Sequence, residues 1–173
     1  MTVTTSPTGL GSPQRTQLER LVTRARAALE ADLGAQAEGR FGIHVDGTIE
    51  DEETLPDDAS DRATRRDLVE IIEHIRSLGE SQADAVARLL REAAFTHLNR
   101  LLAIRIAEAI GLLPESLTNG QQSRGFKDLG EIMPILGDDY WGYLLLCGDE
   151  LAADAPALFD PRNPLLALGG SFR

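Results

Sequence analysis

Residues 98–113 read LNRLLAIRIAEAIGLL, with aliphatic side chains on nearly every face of the helix that they predict. A helix that is apolar on all sides is normally surrounded by others. We therefore expect an all-α protein, an irregular bundle of about five helices around this central, long and apolar helix. It is predicted from about Gln82 to Leu113 as the longest helix of the chain. Gly111 weakens its end and Pro114 stops it.

Two helices are predicted before it. Apolar residues recur at three- and four-residue spacing from Leu18 to Leu33, which indicates an amphipathic helix that begins near Pro13 and ends at Gly34 or Gly39.

The second helix should run from Ser60 or Asp61 to Leu78. Ser81 and Asp84 then form an S-x-x-D capping box, in which each side chain satisfies an unpaired amide at the start of the central helix.

Shorter elements are predicted after residue 113. A polar loop at 114–127 leads to a short helix over 129–136. Another helix runs over 140–151 and is capped by Asp138 or Asp139. Three prolines within 156–164 indicate an extended segment packed on the surface.

The predicted organisation is one domain. Residues 1–12 should be disordered, because Thr, Ser, Gly and Pro cannot bury apolar surface. Residues 13–168 form a single helical domain with an exposed acidic loop at 46–61, and 169–173 form a flexible end.

Charge and composition restrict the functional classes. The net charge is −11, yet residues 13–45 sum to +1 and 62–127 to +2, so a DNA-facing patch is permitted. No apolar run is long enough for a membrane span and the N-terminus lacks a signal-peptide pattern, so a cytoplasmic location is expected. The single cysteine, Cys147, excludes an internal disulfide.

The sequence contains no complete catalytic, cofactor-binding or metal-binding motif. A nucleophilic pair of Cys147 with His74 or His97 is conceivable, but a cysteine in the apolar run LLLCG favours a small buried hydrophobe. His44 beside Asp46 lacks a second metal ligand at helical or hairpin spacing. The acidic run lacks the calcium-loop pattern, and no glycine-rich phosphate loop lies between a strand and a helix.

The polar residues within the apolar helix are the candidate functional positions. Asn99 and Arg100 interrupt it, and a buried polar pair must either anchor a neighbouring loop or face a partner. Arg105 and Glu108, three residues apart, can form an ion pair. Trp141, between Tyr140 and Tyr143, completes the set, although two of these three aromatic residues should face the core.

The segment AAFTHLNRLLAIRIAEAIGLL resembles the motif A-[FY]-T-x-x-N-R-L-x-A-[IL]-R-x-x-E in the N-terminal helical region of large adenine-specific DNA methyltransferases. These are of the BREX or phage-growth-limitation type, with related type IIG restriction–modification enzymes. The later ALFDPRNPLLALGGS and the earlier FGIHVDG are also similar to those proteins. The matching motif residues are Ala94, Phe95, Thr96, Asn99, Arg100, Leu101, Ala103, Ile104, Arg105 and Glu108.

The resemblance implies a bacterial, non-catalytic accessory domain that braces the catalytic domain, contacts DNA backbone or docks another component of the defence system. S-adenosylmethionine would be bound by the associated catalytic domain, because the D-P-x-x-G-S-G-like and N-P-P-[YF] motifs are missing here. DPRNP at 160–164 lacks their glycines and aromatic residue. The alternative is a helical adaptor unrelated to methylation, which binds a protein partner through the long helix or the acidic loop. A small hydrolase that uses Cys147 or a histidine is a third hypothesis.

Overall fold

The computed structural model of the protein describes residues 11–55, 58–136 and 138–169. Within these residues the only extended pairing is an isolated antiparallel bridge between Ile43 and Ile49, so the predicted all-α class is confirmed. The α-helices are α1 (Ser12–Phe41), α2 (Ala59–Ser77), α3 (Gln82–Ala109), α4 (Arg124–Ile132), α5 (Tyr140–Leu151) and α6 (Pro156–Phe159). Single 3-10 turns lie at Glu52–Thr54, Gly120–Gln122, Pro134–Leu136 and Pro164–Leu166.

Helix α1 has 30 residues and α3 has 28, so the prediction that the third helix is the longest is wrong. The predicted stops at Gly34 and Gly39 are also wrong, because the helix continues through both glycines. A Cβ atom at Gly34 would lie 3.2 Å from Val45 Cγ1, so the glycine lets the Val45 side chain approach the helix closely. The helix ends at Gly42, which adopts φ 59° in the left-handed region.

The first core, which we call the α1–α3 core, joins α1, α2 and the first half of α3. It begins at Leu29, whereas Leu18, Leu21 and Val22 of the predicted apolar stripe are exposed. The stripe is therefore buried only in the second half of α1. The buried residues of this core are Leu29, Leu33, Ala37, Phe41, Ile43, Leu68, Ile72, Ile75, Ala85, Val86, Leu89, Leu90, Ala93, Ala94 and Leu168.

The segment between α1 and α2 is more ordered than the predicted loop at 46–61. It contains the Ile43–Ile49 bridge and a 3-10 turn, and it ends at Asp58, whose side chain accepts hydrogen bonds from the first amides of α2. Arg65 of α2 is buried and its guanidinium donates to the carbonyls of Phe41 and Glu50. The buried guanidinium of Arg65 thus holds the segment between α1 and α2 in place. Residues 56 and 57 lie outside the described part.

Helix α3 starts as predicted, and the Ser81 side chain accepts a hydrogen bond from the Asp84 amide. The Asp84 carboxylate does not bond the Ser81 amide, as a full capping box requires. It accepts instead from the Ser81 hydroxyl, with 2.6 Å between Oγ and Oδ2. The helix ends at Ala109 and not near Leu113. Gly111 adopts φ 79° and the amide of residue 112 bonds the Ala107 carbonyl at 2.9 Å, a Schellman motif that stops the helix before Pro114.

The second core, which we call the α3–α5 core, joins the last turns of α3 to α4, α5 and α6. Helix α4 begins at Arg124, five residues earlier than predicted, whereas α5 has its predicted bounds and Asp139 as its cap. The buried residues of this core are Ile104, Ala107, Leu113, Phe126, Tyr143, Leu144, Cys147, Leu151 and Phe159. Because both cores use α3, this helix connects them.

The C-terminal segment differs from the predicted extended surface strip. It forms α6 and a 3-10 turn, and Phe159 and Leu168 are at most 1% exposed, so it contributes to both cores. The predicted disordered residues 1–12 and flexible residues 169–173 fall mostly outside the described part. Ser12, however, already belongs to α1. None of the described helices has the length and hydropathy that a membrane span requires.

Replacement of Gly47 by alanine tests the packing of the 42–50 turn. Gly47 has φ 93°, and a Cβ there would lie 2.7 Å from the Ala83 nitrogen. Gly79 has φ 103° but nothing within 4 Å, so Gly79→Ala is the matched control. We expect Gly79→Ala to cost about 1 kcal/mol of unfolding free energy and Gly47→Ala about 2–4 kcal/mol in urea titrations. Equal losses would contradict this packing.

Candidate functional site

Arg100 lies on α3 between the two cores and is only 8% exposed. Its Nε donates to the Leu158 carbonyl at 2.9 Å, and its guanidinium carbon lies 5.0 Å from the centre of the Phe159 ring. Burial lowers the pKa of Arg100, while Asp149 opposes that shift. An arginine remains charged in proteins, so this cation acts as a tether for the segment around α6.

His97, one turn earlier on α3, makes a similar contact. Its Nε2 lies 3.2 Å from the Leu165 carbonyl, and its ring packs against Trp141 with centroids 5.6 Å apart. Burial lowers the pKa of His97 to about 4, and neighbouring Arg100 adds to the shift. The imidazole is therefore neutral at pH 7 and donates its N–H to the carbonyl.

Glu108 holds the loop that follows α3. Its Oε2 accepts hydrogen bonds from the amides of Ser116, Leu117 and Thr118 at 3.3, 2.9 and 3.2 Å. Burial opposes ionisation, but the hydrogen bonds from Thr118 and the three amides outweigh it and lower the pKa of Glu108. The predicted ion pair is long, with 3.8 Å between Arg105 Nη1 and Glu108 Oε1.

These three side chains have a common use. His97 and Arg100 lie one turn apart on α3 and bind main-chain carbonyls of the C-terminal segment, and Glu108, about two turns later, binds main-chain amides of the loop that follows the helix. The hydrogen bonds that these side chains make are all internal, which gives the three residues a structural role. The sequence indicates Arg100 and Glu108 as candidates, and it indicates His97 only as a partner for a nucleophile.

The surroundings of Cys147 do not favour a nucleophilic thiolate. Burial raises the pKa of the Cys147 thiol, and its Sγ lies 3.7 Å from Ser116 Oγ. Ser116 Oγ in turn lies 2.6 Å from the Tyr143 hydroxyl, whose pKa burial also raises. A reactive thiolate needs a lowered pKa and an adjacent base. His97 is bound to Leu165, so these geometries supply neither condition.

The turn around His44 contains polar groups, but they pair with each other. His44 Nε2 lies 2.7 Å from Glu50 Oε1, which raises the pKa of this half-buried histidine, and Asp46 accepts from the Thr48 amide at 2.8 Å. Among the described residues, no group of three or more His, Cys, Asp or Glu side chains is placed to hold a metal ion.

The DPRNP segment does not fit S-adenosylmethionine. Both carboxylate oxygens of Asp160 accept from the Arg162 guanidinium at 3.0 Å, and Asn163 Oδ1 accepts from the Leu165 amide at 3.1 Å. These side chains form the local turn that positions the Leu165 carbonyl. The glycines that a cofactor loop would need for close approach are absent from residues 160–164.

The side of α3 opposite the cores carries large apolar residues. Phe95, Leu102, Ile106 and Ile110 are 58%, 56%, 52% and 67% exposed. They follow each other at intervals of seven and four residues, which places them along one side of the helix. We call these four residues the outer face of α3. The helix is therefore not enclosed on all sides.

The outer face continues into a shallow apolar groove with a volume of about 200 Å³. The groove lies between the end of α3, the end of α5 and the start of α6, and it is lined by Ile106, Ile110, Leu112, Leu151 and Ala155. Arg105 is half exposed beside the outer face, and Asn99 is half buried. Sequence reasoning missed this surface, although the seven-residue spacing from Phe95 to Leu102 was a signal for it.

The three aromatic residues of α5 lie at the α3–α5 core. Tyr143 is 5% exposed, and Tyr140 and Trp141 are partly buried against the same core. The Tyr140 hydroxyl donates to the Ser116 carbonyl at 2.8 Å. Trp141 therefore packs on His97 rather than forming an exposed platform for a nucleic-acid base.

The sequence of the chain matches no protein-family model, and comparisons with curated proteins and with solved structures likewise find no match. The resemblance to adenine-specific DNA methyltransferases therefore stays a prediction that rests on the motif residues.

The buried His97 predicts an acid-sensitive stability. In the unfolded chain its pKa is 6.5 and in the folded protein about 4, so between these values only the unfolded state binds the proton. Stability is therefore lost as the pH falls from 6.5 to 4. The loss assigned to His97 is up to about 3 kcal/mol. We expect His97→Gln, which keeps a donor for Leu165, to remove this loss in urea titrations, whereas exposed His74→Gln leaves it unchanged.

Glu108→Gln should weaken the loop at 116–118. The neutral amide accepts more weakly from three amides, and we expect a loss of about 1–2 kcal/mol at pH 7. Because the folded pKa of Glu108 lies below its ordinary value of 4.5, its contribution is present above that pH and disappears as the pH falls further. The difference from wild type should shrink below about pH 4.5. Glu92→Gln is the exposed control, and a loss that is constant with pH would contradict this role.

Proposed function

We propose that this chain is a non-catalytic accessory domain of an adenine-specific DNA methyltransferase in a phage-defence or restriction–modification system. In this proposal it docks on the catalytic domain through the outer face of α3. The observation that carries it is that the helix containing the motif has two different sides. Arg100 and Glu108 tie internal segments, whereas Phe95 and its neighbours at 102, 106 and 110 remain exposed.

The three segments that resemble the methyltransferase family contact each other in the structure, which supports the proposal. The motif helix binds the C-terminal segment through Arg100 and His97. The turn after α1 touches the start of the motif helix, where Gly47 lies against Ala83. Arg40, at the end of α1, donates to the Ala167 carbonyl at 3.1 Å and pairs with Asp61. The three segments that resemble the methyltransferase family therefore contact each other and form one packed unit.

The exposure of the outer face supports docking. Contiguous apolar side chains on a protein surface mark sites where other proteins bind, and aromatic and aliphatic anchors usually dominate such contacts. Phe95 would supply the aromatic anchor, and the groove beside Ile110 can receive an apolar side chain of the partner. S-adenosylmethionine and the target adenine would be bound by the catalytic domain alone.

A pair of acidic substitutions tests the docking face. The chain is co-expressed with the adenine-methyltransferase catalytic region of the same genome, and complex formation and N6-methyladenine in the DNA are measured. We expect Leu102→Glu with Ile106→Glu to weaken the complex at least about 30-fold, because buried apolar anchors each contribute about 2 kcal/mol or more. The unfolding free energy should change by less than about 1 kcal/mol, as is typical of exposed positions.

Leu78→Glu, at the 64% exposed end of α2, is the matched control and should bind as wild type does. Absence of a complex with the wild-type chain would contradict the proposal. So would a complex that the double variant leaves intact. Salt-dependent binding of the isolated chain to duplex DNA would instead indicate a direct contact with the phosphate backbone.

A further inference from the structure

The first half of α1 projects from the protein as a helical arm. We define the arm as residues 12–28, which are all exposed except for the half-buried Ala25. Packing against the α1–α3 core begins at Leu29. The arm is about 25 Å long at 1.5 Å per residue. Helices in proteins are stabilised mainly by the packing of one apolar face, and this part of α1 has no such packing within the chain, so its surface is suited to be covered.

The arm is amphipathic and basic. Leu18, Leu21 and Val22 are 47%, 62% and 41% exposed and share one side of the helix, because they are three and four residues apart. The arm contains four arginines and one glutamate, a net charge of +3. Arg26 pairs with Glu30 at 3.4 Å, and Arg20 and Arg24 form no ion pair among the described residues. A partner of the arm should therefore be both apolar and acidic.

A surface with these two properties lies in the second half of the chain. A groove of about 410 Å³ opens between the loop after α3, helix α4 and helix α5. We call it the α4–α5 groove. Its floor is apolar and its rim carries two carboxylates; the residues concerned are Pro114, Leu129, Leu146, Cys147, Asp149 and Glu150. Leu146 is 40% exposed, so the floor is accessible.

We propose that the arm of one copy of the chain docks into the α4–α5 groove of a second copy, giving a dimer with two reciprocal arm contacts. Leu18, Leu21 and Val22 would cover the floor of the groove. Arg24, which neighbours Leu21 on the helix surface at a spacing of three residues, would face Asp149 and Glu150. Because a two-fold axis repeats each contact, every substitution acts twice. This interface is separate from the outer face of α3 and goes beyond the proposed function.

Charge complementarity favours a second copy over DNA as the occupant. The whole chain carries −11 and the arm +3, so the rest of the chain carries −14. This remainder attracts the arm of a second copy and repels phosphate. Binding to DNA would also leave the leucine stripe of the arm in water, whereas the groove covers it.

Sedimentation of the full-length chain over a range of concentration and salt tests the proposal. We expect a dimer whose dissociation constant rises with salt. Arg20→Glu with Arg24→Glu should raise that constant at least about tenfold, because the attraction between the arm and the acidic rim becomes repulsion at each of two contacts. Arg66→Glu with Arg76→Glu, the same change in charge on α2, is the control and should leave it within about twofold.

Mixing two different variants supplies a second readout. Arg24→Glu and Glu150→Arg should each weaken self-association, because each places like charges at both contacts. An equimolar mixture of the two should associate more tightly than either alone, because both contacts of the mixed dimer regain opposite charges, one with the exchanged pair and one with the native pair. A chain that sediments as a monomer at every concentration would overturn the proposal. A dimer that is insensitive to the arm variants would also overturn it, as would a monomer whose arm binds duplex DNA. None of these results would bear on docking to a methyltransferase, which uses the outer face of α3.

Discussion

The satisfaction of buried polar groups on α3 is the constraint on which the rest of the structure depends. Arg100 and His97 lie between the two cores, where an unpaired cation or ring nitrogen would cost several kcal/mol. The carbonyls of Leu158 and Leu165 are their partners. The C-terminal segment must therefore return across α3, and in doing so it brings Phe159 and Leu168 into the cores.

As a result, the two sides of α3 reverse the usual arrangement of polar and apolar residues. Its polar side chains are directed to main-chain atoms of the same protein, and large apolar residues remain on the side away from the cores. The arm of α1 is similar in having exposed leucines, and its arginines lie beside and opposite them on the same helix. Both surfaces have the composition of contact sites, which is why the proposed roles concern partners rather than chemistry.

Much of the fold followed from local patterns. The bounds of α5, the start of α3 at its Ser81 cap and the end of α2 near Leu78 all depend on residues adjacent in sequence. The predicted stops of α1 and α3 failed because a glycine can either end a helix or remain inside it. Gly34 stays within α1 and leaves room for Val45, whereas Gly111 ends α3 because it adopts a positive φ. A single sequence does not reveal which of these occurs.

The sequence by itself determined the all-α class, the absence of a complete catalytic motif from the chain, and the prominence of Arg100 and Glu108 within an apolar helix. These features depend on residue type and short spacing. Only the tertiary structure decided that Leu18 is exposed while Leu33 is buried in the same stripe, and that α3 has an exposed outer face. Burial depends on which distant segment reaches a given side of a helix, and here that was set by long-range contacts such as Arg100 with the Leu158 carbonyl.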